Sequence, residues 1–475
     1  MAAEATAAAP VSPQPGRCAY FVARKRRFCK MVPARGKRFC GEHGGREEEN
    51  GRKRIPCPLD PKHTVYEDQL QKHLKKCNSR EKPKPVYYAQ DINAGLKDTT
   101  ELPEEQQVPI SALSKEELED LIRKLRRASN CINYVLKDQI LSHQALQEAL
   151  NDPQNGDVAF KHLKQQASIL GNMERLHLLE PGNCFVEFGA GRGKLSHWVD
   201  IALQDSKDVH FLLVERATTR FKVDGKHRKN CFERLQVDIQ HLCLNKVPVL
   251  VKEKLPVIGI GKHVCGAATD LALRCLVETY TKPCEGEKES PAPKRFKSNE
   301  SNITSNNSGE SHDKPRADSW SPVAGVVIAL CCHHRCDWKH YVGQDFFTKV
   351  GLGAMEFNYF KRMTSWATCG MRETARKSYA THTKNEEQSN DAEEHDQDDR
   401  CVEYNLDSLQ GLLTTEDRKQ IGQLCKLLID HGRIEYLQQR GYEAVLQHYT
   451  DLSVSLENVL LTAVPCQSSL TPSTA

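Results

Sequence analysis

From Asn183 onward the chain alternates short apolar runs with stretches of helical period. The runs are Cys184 to Phe188 (CFVEF), Val209 to Glu215 (VHFLLVE), Leu235 to Val237, Pro256 to Gly261 (PVIGIG) and Ala324 to Leu330 (AGVVIAL). Such runs, separated by helical patterns, predict parallel strands joined by crossover helices in an α/β sheet. A helical stretch from about 415 to 440 and a closing apolar run from Asn458 to Val464 predict the last helix and the last strand. Upstream, Ser114-Lys-Glu-Glu117 has the spacing of a capping box, opening a helix on which Leu118, Leu121, Ile122 and Leu125 share a face. Further helical runs are expected at about 131 to 150 and 157 to 178. The heptads do not persist, so this region is expected to be a helical segment ahead of the core and not a free coiled coil.

Two segments break the α/β pattern. Residues 281 to 320 and 376 to 401 are rich in Ser, Asn and Glu and nearly devoid of large apolar side chains, which predicts disordered insertions. The expected organisation is a disordered leader at 1–16, one Cys/His module at 17–44 and a second at 54–80. A linker and helical segment follow at 81–155, then an α/β domain at 156–466 carrying both insertions, and a tail at 467–475.

Charge and cysteine usage narrow the class. Residues 1 to 90 hold 20 Lys/Arg against 9 Asp/Glu, a net +11, which leaves −7 for the rest of a +4 chain. Runs such as Arg24-Lys-Arg-Arg27 and Arg52-Lys-Arg54 suit a phosphate backbone, a solvated surface or a nuclear-import signal equally. No apolar stretch approaches the roughly 18 to 20 residues of a membrane span, and the N-terminus has no apolar signal core, so no membrane partner is expected and the nucleus and/or cytoplasm is the expected location. In such a reducing compartment the 19 cysteines are tested first as metal ligands where they cluster.

Two clusters have ligand spacing. Cys18, Cys29, Cys40 and His43 follow C-x10-C-x10-C-x2-H, with Tyr20, Phe21, Phe28 and Phe39 beside them as a minimal core. Cys57, His63, His73 and Cys77 follow C-x5-H-x9-H-x3-C, and the last two lie one helical turn apart. Each set offers four N/S donors, which suits a closed, structural Zn2+ and leaves no open position for catalysis.

The run Phe185 to Lys194 (FVEFGAGRGK) reads as a strand turning into a helix, with Gly189, Gly191 and Gly193 letting backbone approach a ligand. A bare GxGxG is weak evidence, but Glu187 ends the strand, where a carboxylate meets an amino group while glycine amides hold a carboxylate. Glu215 ends the next strand, where it can accept both ribose hydroxyls, and Asp238 follows the third, where it can bond an adenine amino group. That series fits S-adenosylmethionine better than a nicotinamide dinucleotide, which favours G-x-G-x-x-G and has little use for Glu187.

These residues resemble the eukaryotic tRNA 2'-O-ribose methyltransferases that act on nucleotide 4 of the acceptor stem. The resemblance spans nearly everything outside the insertions. It rests on the two fingers in this order and on Lys161-His-Leu-Lys-Gln-Gln166, Glu187 to Gly193, Gly261-Lys-His-Val-Cys-Gly266 with Ala268-Thr-Asp-Leu-Ala-Leu273, Ala329-Leu-Cys-Cys-His-His-Arg-Cys336 and Ser365-Trp-Ala-Thr-Cys-Gly370. Val264 is a departure, since the family more often has Leu there. The resemblance implies a class I methyltransferase fold (Rossmann-like, mostly parallel), S-adenosylmethionine as donor and tRNA as substrate. In that fold the strand Pro256 to Gly261 delivers Lys262 and His263 beside the methyl group, and either could take the proton of a 2'-hydroxyl as general base.

Cys331, Cys332, His333 and His334, with Cys336, invite a third metal site, but four adjacent residues at a strand end alternate in direction and are not expected to converge all together on one ion. His333, His334 and Arg335 are instead expected to line the substrate mouth, with the guanidinium on a phosphate. Two other readings remain open. One is a non-catalytic RNA-binding or splicing-associated scaffold, since a CHHC finger of this type also occurs in a minor-spliceosome protein. The other is a methyltransferase with a protein or small-molecule acceptor, against which the basic fingers argue.

Overall fold

The computed structural model describes residues 15–22, 27–33, 35–40, 43, 54–77, 79–80, 83–95, 108–132, 135–203, 206, 208–217, 231–281, 322–368 and 412–466. Apart from edge residues, the expected leader, insertions and tail lie outside these, as do Cys369 and Gly370. The chain divides into two compact units, Met1–Pro85 and Val86–Ala475.

The first unit holds two small modules. In one, β1 (Phe21–Val22) pairs antiparallel with β2 (Arg27–Phe28), and Tyr20, Val22 and Phe39 pack on buried Cys18, Cys29 and Cys40. In the other, β3 (Arg54–Cys57) pairs antiparallel with β4 (Asp60–Tyr66), and α1 (Leu70–Leu74) closes over Cys57, Val65 and Cys77. Apolar cores this small cannot offset chain entropy unaided, which is why the sulfur and imidazole groups sit at their centres.

The second unit is built on one sheet. In chain order its elements are α2 (Lys115–Ser129), β5 (Lys137–Asp138), α3 (Gln147–Leu150), α4 (Asp157–Arg175), β6 (Cys184–Phe188), α5 (Lys194–Ala202), β7 (His210–Glu215) and β8 (Cys231–Gln236). Then come α6 (Pro248–Glu253), β9 (Val257–Gly261), α7 (Ala267–Arg274), β10 (Val323–Ala329), α8 (Gln344–Lys349), α9 (Ala354–Met363), α10 (Thr415–Gln438), β11 (Tyr442–His448) and β12 (Val459–Pro465). Among the described residues the strand order is β5-β11-β12-β10-β9-β6-β7-β8. Neighbours are parallel except that β12 runs antiparallel to both β10 and β11. The expected mostly parallel α/β sheet is therefore present.

Strand alternation sends side chains to both faces. Cys184, Val186 and Phe188 join one core with Leu271, Leu276 and Leu437, while Phe185, Phe211 and Ile258 join another with Leu163, Leu170 and Leu195 from α4 and α5. Both faces are covered, which explains why these strands read as continuous apolar runs.

Upstream, the capping box forms as its spacing predicts: the Glu117 amide donates to Ser114 Oγ at 3.2 Å and the Ser114 amide to Glu117 Oε2 at 2.7 Å. The apolar face of α2 (Leu118, Leu121, Ile122 and Leu125) packs with Phe347, Phe357, Phe360, Cys425 and Leu428, so α2 belongs to the second unit. The helix expected at 131–150 is not there. The short strand β5 occupies its middle and only α3, with the single turn Gln144–Leu146 before it, is helical. Lys137 and Asp138 pair with β11 and make β5 the edge strand, an interaction with a partner some 300 residues away that no local period announces. No helix among the described residues is long and apolar enough to cross a membrane.

Candidate active site and metal centres

The turn after β6 takes the shape its glycines predict. Gly189, Gly191 and Gly193 have φ of +61°, +48° and +73°, a region L side chains occupy only at a cost. A Cβ at Gly189 would stand 3.2 Å from the carbonyl oxygen of His263, so the turn lies directly against the loop that follows β9. Three side chains brace it. Glu187, buried at 4 % exposure, accepts from Ser196 N at 3.0 Å and Ser196 Oγ at 2.5 Å, which fixes its carboxylate over the first turn of α5. Glu215, at the end of β7, accepts from the amides of Gly191 (3.1 Å) and Ala217 (3.0 Å). Arg234 of β8 donates to the carbonyls of Gly191 (3.0 Å) and Arg192 (3.2 Å).

Asp238 caps the turn after β8 by accepting from Gln240 N at 3.0 Å and stands 3.6 Å from Arg216. The three acids thus end three adjacent strands at one edge of the sheet, as the sequence implies. One detail differs from expectation. The Gly191 amide is taken by Glu215 and the Gly193 amide by the Ala190 carbonyl (2.6 Å), so both are spent inside the turn and not aimed at a ligand carboxylate.

Lys262, 7 % exposed, sits between two imidazoles: its Nζ is 2.8 Å from His162 Nδ1 and 3.1 Å from His263 Nε2. An ammonium in that position donates to both nitrogens, which requires each imidazole to carry its own proton on the opposite nitrogen. His162 comes from α4, a hundred residues away, and its role is absent from the sequence reading. The only sequence signal was its place within Lys161 to Gln166, a run the resemblance singled out without assigning it a task. Ser196 and Arg234 carried no signal at all.

The segment after β10 departs from expectation. The strand ends at Ala329, and His333–Arg335 forms a single helical turn. His334 and Arg335 are exposed, but His333 is 2 % exposed and its Nε2 lies 2.9 Å from Asp430, so it is no mouth group. It belongs to a buried network in which Arg433 donates to Asp270 (2.7 Å and 3.1 Å) and to Asp430 (2.8 Å). Burial pushes the Asp430 carboxyl up, yet His333 and Arg433 outweigh it and hold the group below the usual carboxylate range. Arg335 stays near the loop after β9, since a Cβ on Gly266 would meet the Arg335 carbonyl carbon at 2.5 Å.

The adjacent residues Cys331 and Cys332 do converge, together with Cys265 from the neighbouring loop; their three sulfurs lie within 4.8 Å of one another. His333, turned to Asp430, and His334, exposed, stay out of this group, so the four adjacent residues do not all converge, as expected; the two cysteines meet because the chain has left the strand before Cys331.

Both N-terminal ligand sets come together. Cys18, Cys29, Cys40 and His43 present donor atoms within 4.8 Å of one another, as do Cys57, His63, His73 and Cys77. The spacings include 3.9 Å between the sulfurs of Cys29 and Cys40 and 3.8 Å between those of Cys57 and Cys77. A tetrahedral ion with bonds of about 2.3 Å would hold two thiolates about 3.8 Å apart. The donor sets therefore fit zinc. Tyr20 stacks on the His43 ring at 3.9 Å, and Asp60 stands 3.5 Å from His63 Nδ1, leaving Nε2 to face the cluster, the orientation a ligating histidine needs.

A mostly parallel sheet with an acid-braced glycine turn, following two Cys/His modules along the chain, points to a class of protein: a methyltransferase domain preceded by zinc fingers. Comparison with known proteins agrees. Residues 164–464 match the family described as Methyltransferase TRM13, residues 16–44 the CCCH zinc finger in TRM13 protein, and residues 54–78 the U11-48K-like CHHC zinc finger. This chain belongs to the TRM13 methyltransferase family.

Among its relatives, the Mus musculus protein named tRNA:m(4)X modification enzyme TRM13 homolog is 65% identical over 96% of both chains, and its Homo sapiens counterpart is 64% identical over 100% of both. The tRNA:m(4)X modification enzyme TRM13 of Schizosaccharomyces pombe is 32% identical over 86% of this chain and 95% of its own. No solved structure matches the chain.

Proposed function

We propose that the protein transfers a methyl group from S-adenosylmethionine to the ribose 2'-hydroxyl of nucleotide 4 in the tRNA acceptor stem. The carrying observation is the contact between donor turn and base loop: Gly189 lies against the His263 carbonyl, and His263 and Lys262 stand together with His162. The strand order supports a class I methyltransferase fold, with β6 central and β12 alone reversed against its neighbours. The names of the mouse, human and yeast relatives support a tRNA substrate.

In this reading Glu187 binds the amino group of the donor, Glu215 its ribose hydroxyls and Asp238 its adenine. The donor supplies an electrophilic methyl group on a sulfonium. The residues of this chain perform the rest. His263, or Lys262 in its neutral amine form, takes the proton of the attacking hydroxyl, because a hydroxyl is a poor nucleophile until that proton leaves. His162 holds Lys262 in place from the far side. His334 and Arg335, exposed beside this loop, meet the RNA backbone, where a guanidinium can hold a phosphate through two bonds. The two fingers each hold one structural Zn2+, and the basic first unit captures the tRNA.

The test is incubation of a tRNA transcript with protein and labelled donor, followed by alkaline hydrolysis and mass spectrometry. A 2'-O-methyl group removes the hydroxyl that attacks the phosphodiester, so the bond after nucleotide 4 should survive alkali. A methylated base with that bond still cleavable would reject the ribose as acceptor. In single-turnover assays, Lys262→Ala or His263→Ala should slow transfer by about 100-fold or more if that residue is the base. His162→Gln, which keeps an acceptor, should cost less than His162→Ala.

A further inference from the structure

The thiols beside the proposed base loop have no part in the mechanism above. Cys265 lies two residues beyond His263, and Cys331 and Cys332 lie just past β10. All three residues are half-buried. Cys265 Sγ and Cys331 Sγ are 3.3 Å apart. That spacing distinguishes them from the fingers, where the paired sulfurs stand at 3.9 Å and 3.8 Å, the edge a tetrahedral ion imposes. The group also offers three donors where each finger offers four, and none of the three is an imidazole.

We propose that Cys265 and Cys331 form a reversible thiol–disulfide site, oxidised by small-molecule disulfides, that clamps the Lys262–His263 loop to the Arg335 loop. The backbone around the pair is already in register: the Gly266 amide points to the Cys331 carbonyl at 3.4 Å. At Gly266, φ is +59°, and a Cβ there would collide with Arg335, so the two loops are pressed together at this point. A disulfide of about 2.05 Å asks the sulfurs to close by about 1.3 Å, which side-chain rotation can supply.

The chemistry balances with an oxidised glutathione molecule as partner. The Cys265 thiolate attacks one of its sulfurs, that S–S bond breaks, and one glutathione thiolate leaves. The Cys331 thiolate then attacks Cys265 Sγ in the mixed disulfide and expels the second glutathione. Two protein thiols lose two electrons and two protons, and the small disulfide becomes two thiols. In the reduced site the Cys265 and Cys332 thiols beside Cys331 hold its thiol well above the ordinary range, which leaves Cys265 to make the first attack, and both attacks quicken as pH rises because each needs a thiolate.

The test uses full-length, zinc-loaded protein in graded mixtures of reduced and oxidised glutathione at neutral and mildly alkaline pH, alkylated and mapped without reduction. The expected result is a Cys265–Cys331 linked peptide, formed faster at the higher pH and reversed by dithiothreitol. It should survive Cys332→Ser, disappear in Cys265→Ser and Cys331→Ser, and form without loss of zinc. Preferential linkage through Cys332, or no linked peptide in protein that still melts cooperatively, would overturn the proposal. So would a third equivalent of bound metal that Cys265→Ser removes, which would make the thiols ligands. Methylation of tRNA by the oxidised form should fall about tenfold and recover on reduction. This last arm rests on the proposed function, whereas the linked peptide does not, so failure of one is distinguishable from failure of the other.

Discussion

Gly189→Val probes the proposal that the Gly189 to Gly193 turn holds the methyl donor against the loop after β9, and Gly182→Val provides its control. Both glycines have positive φ, +61° and +81°, so either substitution places an L residue where it costs roughly 1–2 kcal/mol, and somewhat more for a β-branched side chain. Their surroundings differ. A Cβ at Gly182 meets nothing within 4 Å, whereas at Gly189 it lies 3.2 Å from the His263 carbonyl oxygen, and the two Cγ atoms of valine enlarge the intrusion. Both variants should therefore lose a few degrees of thermal stability. Only Gly189→Val should also displace the turn proposed to hold the donor, weakening S-adenosylhomocysteine about 100-fold or more, equivalent to about 2.7 kcal/mol. Titration calorimetry reads the affinity and a thermal melt reads the fold. Unaltered affinity in a folded Gly189→Val protein, or equal losses in both variants, would show that the turn does not hold the donor.

Metal analysis of purified protein should report close to two zinc equivalents, and Cys57→Ser should remove about one, because a closed tetrahedral site tolerates no missing ligand. Asp430→Asn should destabilise the protein by about 3–5 kcal/mol in denaturant titration, since it leaves His333 and Arg433 buried with Asp270 as the remaining carboxylate of the network. The Asp430 carboxyl is lowered in the folded state, so its contribution is present above the unfolded value of about 3.9 and disappears as pH falls through the folded value. The Asn variant should accordingly show a shallower acid-induced loss of stability below about pH 4. Removing residues 1–80 should weaken tRNA binding and reduce the salt slope of log affinity by nearly one for each lost phosphate contact, with donor affinity unchanged. Filter binding across a salt series checks this, and equal binding by the truncated protein would assign the fingers to another partner.

Which features the sequence determined, and which only the folded chain decided, follows the distance over which each interaction acts. The finger ligands were legible because Cys40 and His43, or His73 and Cys77, are near neighbours whose spacing alone brings them to one ion. The capping box at Ser114 and the left-handed turn at Gly189 to Gly193 are local too, closed by backbone geometry within a few residues. The parallel strands announced themselves because helices cover both faces and leave no polar alternation.

Local period misled where a distant partner prevailed. The residues expected as a helix at 131–150 give up two positions to pairing with β11. His333 looked like a mouth residue until Asp430 drew it inward, and His162 had no task until β9 brought Lys262 within 2.8 Å. Cys265 and Cys331, 66 residues apart, meet because β9 and β10 are hydrogen-bonded neighbours and the loops leaving them share one edge of the sheet. A side chain's residue type and its near neighbours are written in the chain, but which distant group it meets depends on strand order, and strand order is settled by burying both faces of the sheet at once.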